Sequence, residues 1–451
     1  MTSNTLLNPN IHIDPSEVHS TLKKYMVADG MPIVVDLEKS IGTDIIDAKT
    51  GNRYIDLFSF FASLPVSLNH PKLHDPDFEE KLLRVARTKT ANPDAFTVEM
   101  AEFVETFARI AKPEPFIHTF YIEGGALGVE NALKAAFDWK VRKNFERGYR
   151  EERGQQVIHF RQAFHGRTGY TMSLTNTNSL KVKYFPKFKW PRIINPALRF
   201  PVNENTLNET EKLEQQAIAQ VKDAFHYHKD DIAAIIIEPI QSEGGDNHFR
   251  KEFLQELRRL ADENEAMLIF DEVQTGMGLT GKMWAYEWFV EPDMIAFGKK
   301  MQVCGFMSTN RVDEVEDNVF TTVWRINSTW GGSLTDMVRA ARYLEIIDED
   351  NLIENAASMG EVILRRCNNL REEFPDLVSN VRGRGLLAAI DLPSGSQRDA
   401  FRKKLFENGV IMLPCGERGM RFRPPLDIKE EAIDEAIHIM RKVLKHMNAE
   451  G

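Results

Sequence analysis

Two side chains in this sequence have the chemistry to hold and use an aldehyde cofactor. In Ile269-Phe270-Asp271-Glu272-Val273-Gln274-Thr275-Gly276 a carboxylate closes an apolar run, and in Ala296-Phe297-Gly298-Lys299-Lys300 two lysines close another. An amine that attacks an aldehyde must be a lysine, and a pyridine nitrogen kept protonated needs a buried anion beside it. Asp271 and Lys299 fit those two jobs, which points to pyridoxal 5'-phosphate. Taken alone, the same stretch also reads as a loop after a core strand followed by two solvated lysines.

Three more clusters follow apolar runs. Glu123-Gly124-Gly125-Ala126-Leu127-Gly128 has small residues that let the backbone close on an anion. A helix starting there offers free N–H groups and a positive dipole end to a phosphate; a tight strand-to-helix connection is the plain alternative. No G-x-G-x-x-G follows a strand, so the dinucleotide fingerprint of a nicotinamide dehydrogenase is missing. In Phe164-His165-Gly166-Arg167-Thr168 the ring could stack on a planar cofactor and Arg167 could hold a carboxylate by two parallel hydrogen bonds. Equally, Phe164 could be core and Arg167 a surface charge. Glu238-Pro239-Ile240-Gln241-Ser242-Glu243-Gly244-Gly245 brings two carboxylates to the same rim, where Glu243 either neutralises a pocket arginine or is a solvated loop acid.

The elements that must position these groups are legible as alternating periodicities. Strands are predicted at 119–122, 156–160, 232–237, 267–270 and 294–297, separated by helical stripes such as Val129, Leu133, Ala136, Phe137 and Phe253, Leu254, Leu257, Leu260. This is the pattern of a doubly wound α/β core with a mostly parallel sheet, in which ligands sit beyond the carboxyl ends of the strands. From Gly383 onward the alternation changes to strand 386–392, helix 398–407, strand 410–414, strand 420–422 and a helix from 429, a smaller α+β domain. A helical pattern from 337 through 364 links the two. Residues 33–42 and 47–57 read as two strands around a Lys49-Thr50-Gly51-Asn52 turn, a hairpin that could join the small domain. The expected division is an N-terminal segment 1–75, a large domain 76–332 and a C-terminal domain 333–451.

Composition narrows the partners. With 42% hydrophobic and 27% charged residues over 451 positions, the chain can bury a large core. A formal charge of −10 and the lack of a basic stripe argue against nucleic acid and anionic membranes. Cys304, Cys367 and Cys415 are too far apart for a disulfide framework or a metal site. The opening residues, Met1 through Pro9, show no basic-then-apolar leader, and no run of about 18 apolar residues occurs, so a reducing cytoplasm is expected.

Phe270-Asp271-Glu272-Val273-Gln274-Thr275-Gly276, the later Gly298-Lys299, Phe164-His165-Gly166-Arg167-Thr168 and Arg421-Phe422-Arg423-Pro424-Pro425 together resemble the class III aminotransferases, from about Met31 to the last helix. Within that class, residues 123–140, 298–305 and Arg325-Ile326-Asn327-Ser328-Thr329-Trp330-Gly331-Gly332 are most similar to the L-lysine 6-aminotransferases.

The resemblance implies a type I pyridoxal-phosphate transferase fold, with the small domain built from both ends of the chain, and a homodimer with shared sites. By similarity Lys299 bonds to the cofactor and shuttles the proton, while Asp271 pairs with the ring nitrogen. Lys299 is preferred to Lys300 because the family's lysine directly follows the small residue ending its strand. The resemblance places His165 among the cofactor-binding residues, Val273 and Phe164 on the two ring faces and Gln274 near the ring hydroxyl. Gly125 and Ala126 are expected at the phosphate, with Thr329 reaching the phosphate of the neighbouring subunit. It further implies transfer of the 6-amino group of L-lysine to 2-oxoglutarate, with Arg167 on the lysine α-carboxylate, assisted by Asn327, and Arg421 on the 2-oxoglutarate carboxylate beside the reacting carbon. Glu243 would pair with Arg421 in the lysine half-reaction. Ornithine or 4-aminobutyrate as donor, and a non-catalytic protein that only senses the cofactor, are the alternatives. One departure stands out: Glu123-Gly124-Gly125-Ala126 lacks the Ser or Thr hydroxyl that most of the class carries in the phosphate turn, which gives Thr329 more weight. Leu68-Asn69-His70-Pro71 also replaces the usual Gly-His pattern, with no catalytic consequence.

Overall fold

The computed structural model describes residues 11–450; the expectation for Met1 through Pro9 and the first ten residues of segment 1–75 lie outside the described residues. A seven-stranded sheet forms the centre, in the order Phe116–Ile122, Cys304–Thr309, Met294–Phe297, Met267–Asp271, Ile232–Ile237, Gln156–Phe160, Arg192–Ile193. All pairs are parallel except the two made by Cys304–Thr309. Alternate side chains of the central strands feed two separate cores. Ile235, Ile237, Leu268 and Phe270 pack with Phe253, Leu254, Leu257 and Leu260 of helix Lys251–Glu263 on one face. Ala234, Ile236, Met267 and Ile269 pack with Val129, Leu133 and Ala136 of helix Gly125–Glu146 on the other. A strand buried on both faces reads as an unbroken apolar run, which is why these strands were visible in the sequence.

The strand Cys304–Thr309 was not anticipated. Only residues 298–303, including the turn Lys299–Met301, lie between it and Met294–Phe297, far too little chain for a parallel crossover, so it folds back as an antiparallel hairpin partner. Three other expectations need correction. The first N-terminal strand is Asp44–Ile46, paired with Arg53–Asp56, and not 33–42: the Asp36 side chain accepts the N–H groups of Glu38 and Lys39 and turns the chain there. The stretch 410–414 divides between two sheets, Val410–Ile411 running parallel to Arg53–Asp56 and Leu413–Cys415 joining an antiparallel sheet with Ser379–Arg384, Leu387–Asp391 and Gly419–Phe422. The helical pattern from 337 is broken at Asn351, whose φ of 51° separates Leu334–Glu349 from Leu352–Glu373. Among the described residues no helix is long and apolar enough to cross a membrane.

Candidate active site

Asp271 ends a strand buried at every position and is itself buried. Its Oδ2 lies 2.7 Å from Nδ1 of His165, and its Oδ1 accepts the Val273 N–H at 3.1 Å. His165 is buried as well, and its N–H is fixed on Thr175 Oγ1 at 2.9 Å. Burial pulls the His165 pKa down, but the Asp271 hydrogen bond and the charges of Asp271 and Glu238 outweigh it, and the net shift is upward. The His165 ring thus grips Asp271 from behind. Glu238, pushed up to about 7 chiefly by burial, accepts the N–H groups of Phe164 at 2.9 Å and Ser242 at 3.1 Å. It ties the Phe164 loop to the Glu243 loop.

Lys299 follows Gly298 at the end of Met294–Phe297, half-buried and with φ of 49°. Burial, then the neighbouring Arg421 charge, lower its pKa against the opposing pull of Asp271 and Glu243. Lys300 turns away: its amine donates to Leu64 O at 2.7 Å and Pro424 O at 3.4 Å, and burial brings its pKa down to about 7. Of the two neighbouring lysines, only Lys299 feels the charge of Asp271.

The helix Gly125–Glu146 has no side chain capping its start and no acid in its first turn, and Gly124 precedes it with φ of 108°. Its first N–H groups have no partners within the helix. A Cβ on Gly125 would stand 2.9 Å from Val273, so this helix start adjoins the loop after Asp271. A Cβ on Gly128 would stand 2.6 Å from the carbonyl oxygen of Gly305, which seats the helix directly on the sheet. These groups fit pyridoxal phosphate: a buried acid for the ring nitrogen, a desolvated amine for the aldehyde, and an uncapped helix start for the phosphate.

On the opposite wall, Arg421 and Arg423 are buried on and just after strand Gly419–Phe422. Arg423 is matched by both carboxylate oxygens of Asp246, at 2.5 and 2.9 Å. Among the described residues Arg421 has only a neutral acceptor, Gln274 Oε1 at 2.9 Å, and its Nε is buried without a partner. Arg423 Nε reaches the same Gln274 oxygen at 3.3 Å. Gln274 therefore serves the arginines in this structure. Glu243 is not on Arg421 here; it accepts from Lys181 Nζ and, at 2.5 Å, from Thr177 Oγ1. Two cations face the half-buried Phe164 ring, Arg167 at 5.9 Å and Lys181 at 5.0 Å from its centroid.

The aminotransferase class-III family profile matches residues 25–444. This chain is a class III aminotransferase. It is 50% identical over 432 residues to the L-lysine-epsilon aminotransferase of Mycobacterium tuberculosis, covering 95% of this chain and 96% of the relative. To the L-lysine-epsilon aminotransferase of Streptomyces clavuligerus it is 46% identical over 436 residues, covering 96% and 94%. The solved lysine aminotransferase from M. tuberculosis superposes with a TM-score of 0.94 at 49% identity, over 96% of this chain and 99% of that one. Pyridoxal 5'-phosphate is the cofactor of this aminotransferase, and amino-group transfer is its reaction.

Two expected residues of the aminotransferase stand apart within the single chain. Asn327 and Thr329 lie exposed on a loop whose Val323 and Trp324 are 76% and 85% exposed. The Arg423–Asp246 pair and the contacts of Lys181 and Thr177 with Glu243 are not evident in the sequence. Arg423 had a signal, since Arg421 and Arg423 are two apart and alternate residues of a strand share a face. Lys181 had none, because it comes from a three-residue turn, Ser179–Lys181, with no periodicity.

Proposed function

We propose that this aminotransferase moves the 6-amino group of L-lysine to 2-oxoglutarate, giving L-glutamate and 2-aminoadipate 6-semialdehyde, which cyclises to piperideine-6-carboxylate. The observation that carries the reading is Arg421, a buried guanidinium acting on Lys299 and, among the described residues, bearing no carboxylate, while Arg423 beside it is fully matched. A buried guanidinium left with a neutral partner is a socket for a substrate carboxylate. The carboxylate beside the keto carbon of 2-oxoglutarate fits it. Lysine donates its distal amine, and its α-carboxylate goes to Arg167, exposed and free of any carboxylate among the described residues, with Asn327 assisting. The high identity to two L-lysine-epsilon aminotransferases supports this donor over ornithine or 4-aminobutyrate.

The bound cofactor carries the amino group between the two half-reactions and draws electrons from the donor carbon. Lys299 Nζ, made less basic by its surroundings, takes the proton from carbon 6 of lysine and in the second half-reaction delivers one to carbon 2 of the nascent glutamate. Asp271, braced by His165, would hold the protonated ring nitrogen; Val273 and Phe164 would cover the ring faces, and Gln274 would face its hydroxyl edge. Gly125 and Ala126 would offer their N–H groups to the phosphate, and Thr329 of a second copy would complete its grip. Glu243 covers Arg421 while lysine is bound and uncovers it for 2-oxoglutarate.

The working unit in this reading is a cytoplasmic homodimer, supported by the exposed Val323, Trp324 and Trp330 around Thr329, apolar surface that a second copy would cover. Its division into 1–75, 76–332 and 333–451 is supported by the pairing of Arg53–Asp56 with Val410–Ile411. Half-reaction rates for lysine, ornithine and 4-aminobutyrate, with lysine labelled with ¹⁵N at either nitrogen, test the assignment. Lysine should react fastest and pass on its 6-nitrogen; a faster ornithine or 4-aminobutyrate reaction, or transfer of the 2-nitrogen, overturns it.

A further inference from the structure

The backbone that carries Glu243 is fixed. Its carbonyl accepts from Gly416 N at 2.8 Å, Ser242 N is held by Glu238, and Asp246 N returns to Ser242 O at 3.0 Å. The next residue is packed closely, since a Cβ on Gly244 would fall 1.8 Å from the Gln162 carbonyl oxygen. Only the side-chain torsions of Glu243 are free, and about a quarter of that side chain faces solvent. Its charge acts on Arg421 and Lys299, although its hydrogen bonds go to Lys181 and Thr177. Lys181 sits on a short solvent-facing turn with the face of Phe164 5.0 Å from its ammonium, which holds the cation in place when the carboxylate leaves.

We propose that Lys181, with Thr177, is the second station of the Glu243 carboxylate: Glu243 rests there when Arg421 must be open to a dicarboxylate, and swings about its own side-chain bonds to Arg421 when an amine donor occupies the site. This rests on the assignment of Arg421 to the carboxylate beside the reacting carbon. Lys181 is then a positioning residue that sets how often Arg421 is free. A ligand that needs Arg421 free binds more weakly in proportion to the time Glu243 spends there. A partly exposed cation contact of this kind shifts such a balance by about fivefold.

The test uses holoenzyme and glutarate, a dicarboxylate without the keto group, titrated by calorimetry. Lys181→Ala should weaken glutarate about fivefold and raise KM for 2-oxoglutarate without slowing the lysine half-reaction. Lys181→Arg should restore binding, and Thr177→Val should show a smaller loss in the same direction. The decisive variant is Lys181→Ala with Glu243→Ala: with the competing carboxylate removed, glutarate affinity returns to the parent value or above. Unchanged binding in Lys181→Ala, or a loss that persists in the double variant, overturns the proposal, the latter because Lys181 would then touch the ligand itself. Arg421→Ala is read separately: if it binds glutarate as the parent does, the Arg421 assignment is wrong, and the two-station scheme falls with it.

Discussion

Gly128→Ala tests whether the helix start holds the cofactor phosphate. The added Cβ would stand 2.6 Å from Gly305 O, against 3.4 Å for an ordinary contact, a shortfall of about 0.8 Å. Gly305 cannot give way, being paired to Tyr121 on one side and Phe297 on the other. The helix must retreat instead, lengthening N–H contacts from Gly125 and Ala126 from about 2.9 Å toward about 3.7 Å, beyond hydrogen-bond range. Two hydrogen bonds to a charged group, at roughly 1.5–3 kcal/mol each, amount to about 3–6 kcal/mol, or roughly 10²- to 10⁴-fold in cofactor affinity. Overpacking also costs about 1–3 kcal/mol of fold stability, which circular dichroism and thermal unfolding measure separately. The assay is fluorescence titration of apoenzyme with pyridoxal phosphate. Gly124→Ala is the contrast: its Cβ meets nothing within 4 Å, so it strains a φ of +108° without displacing the helix and should lose less affinity. A folded Gly128→Ala variant that binds the cofactor as tightly as the parent would refute the reasoning.

Borohydride reduction of the holoenzyme followed by peptide mapping should mark Lys299, and Lys300→Met should still be marked there while losing roughly 1–3 kcal/mol of stability with its bonds to Leu64 and Pro424; a label on residue 300 would contradict the assignment. Glu238 has a pKa raised from 4.5 to about 7, so its contribution to stability is fully present below 4.5 and is lost as pH rises through about 7, a difference of about 3 kcal/mol. Denaturant unfolding between pH 4.5 and 7.5 should show a shallower fall for Glu238→Gln than for the parent, with Glu272, also near 7, supplying the remaining slope. Identical slopes would count against the buried acid.

The sequence revealed most where local pattern and chemistry coincide. The strands 232–237 and 294–297 were legible because both faces are buried, and Asp271 and Lys299 because they stand at the ends of such strands. Cys304–Thr309 was hidden because its placement depends on the short connection 298–303 and on a partner, Phe116–Ile122, far away in the chain. The split of 410–414 was hidden for the same reason: its pairing is decided by Arg53–Asp56 and Gly419–Phe422. In the site, residue type alone offered Arg167 as a candidate carboxylate anchor, whereas Arg421 was offered only by the resemblance. The present partner of Glu243 was not announced, because a lysine on a short exposed turn looks like any solvated cation.

The antiparallel strand has a consequence for how the protein is made. Tyr121 pairs with Gly305, so the floor beneath the phosphate grip waits for a segment synthesised long after the grip itself. Closing so distant a contact is slow, and before it forms the emerging chain has an unpaired edge at Phe116–Ile122. Vitamin loading therefore waits until the strand Cys304–Thr309 of the 451 residues has been made, and a ribosome-bound fragment ending before residue 304 should leave the cofactor in solution.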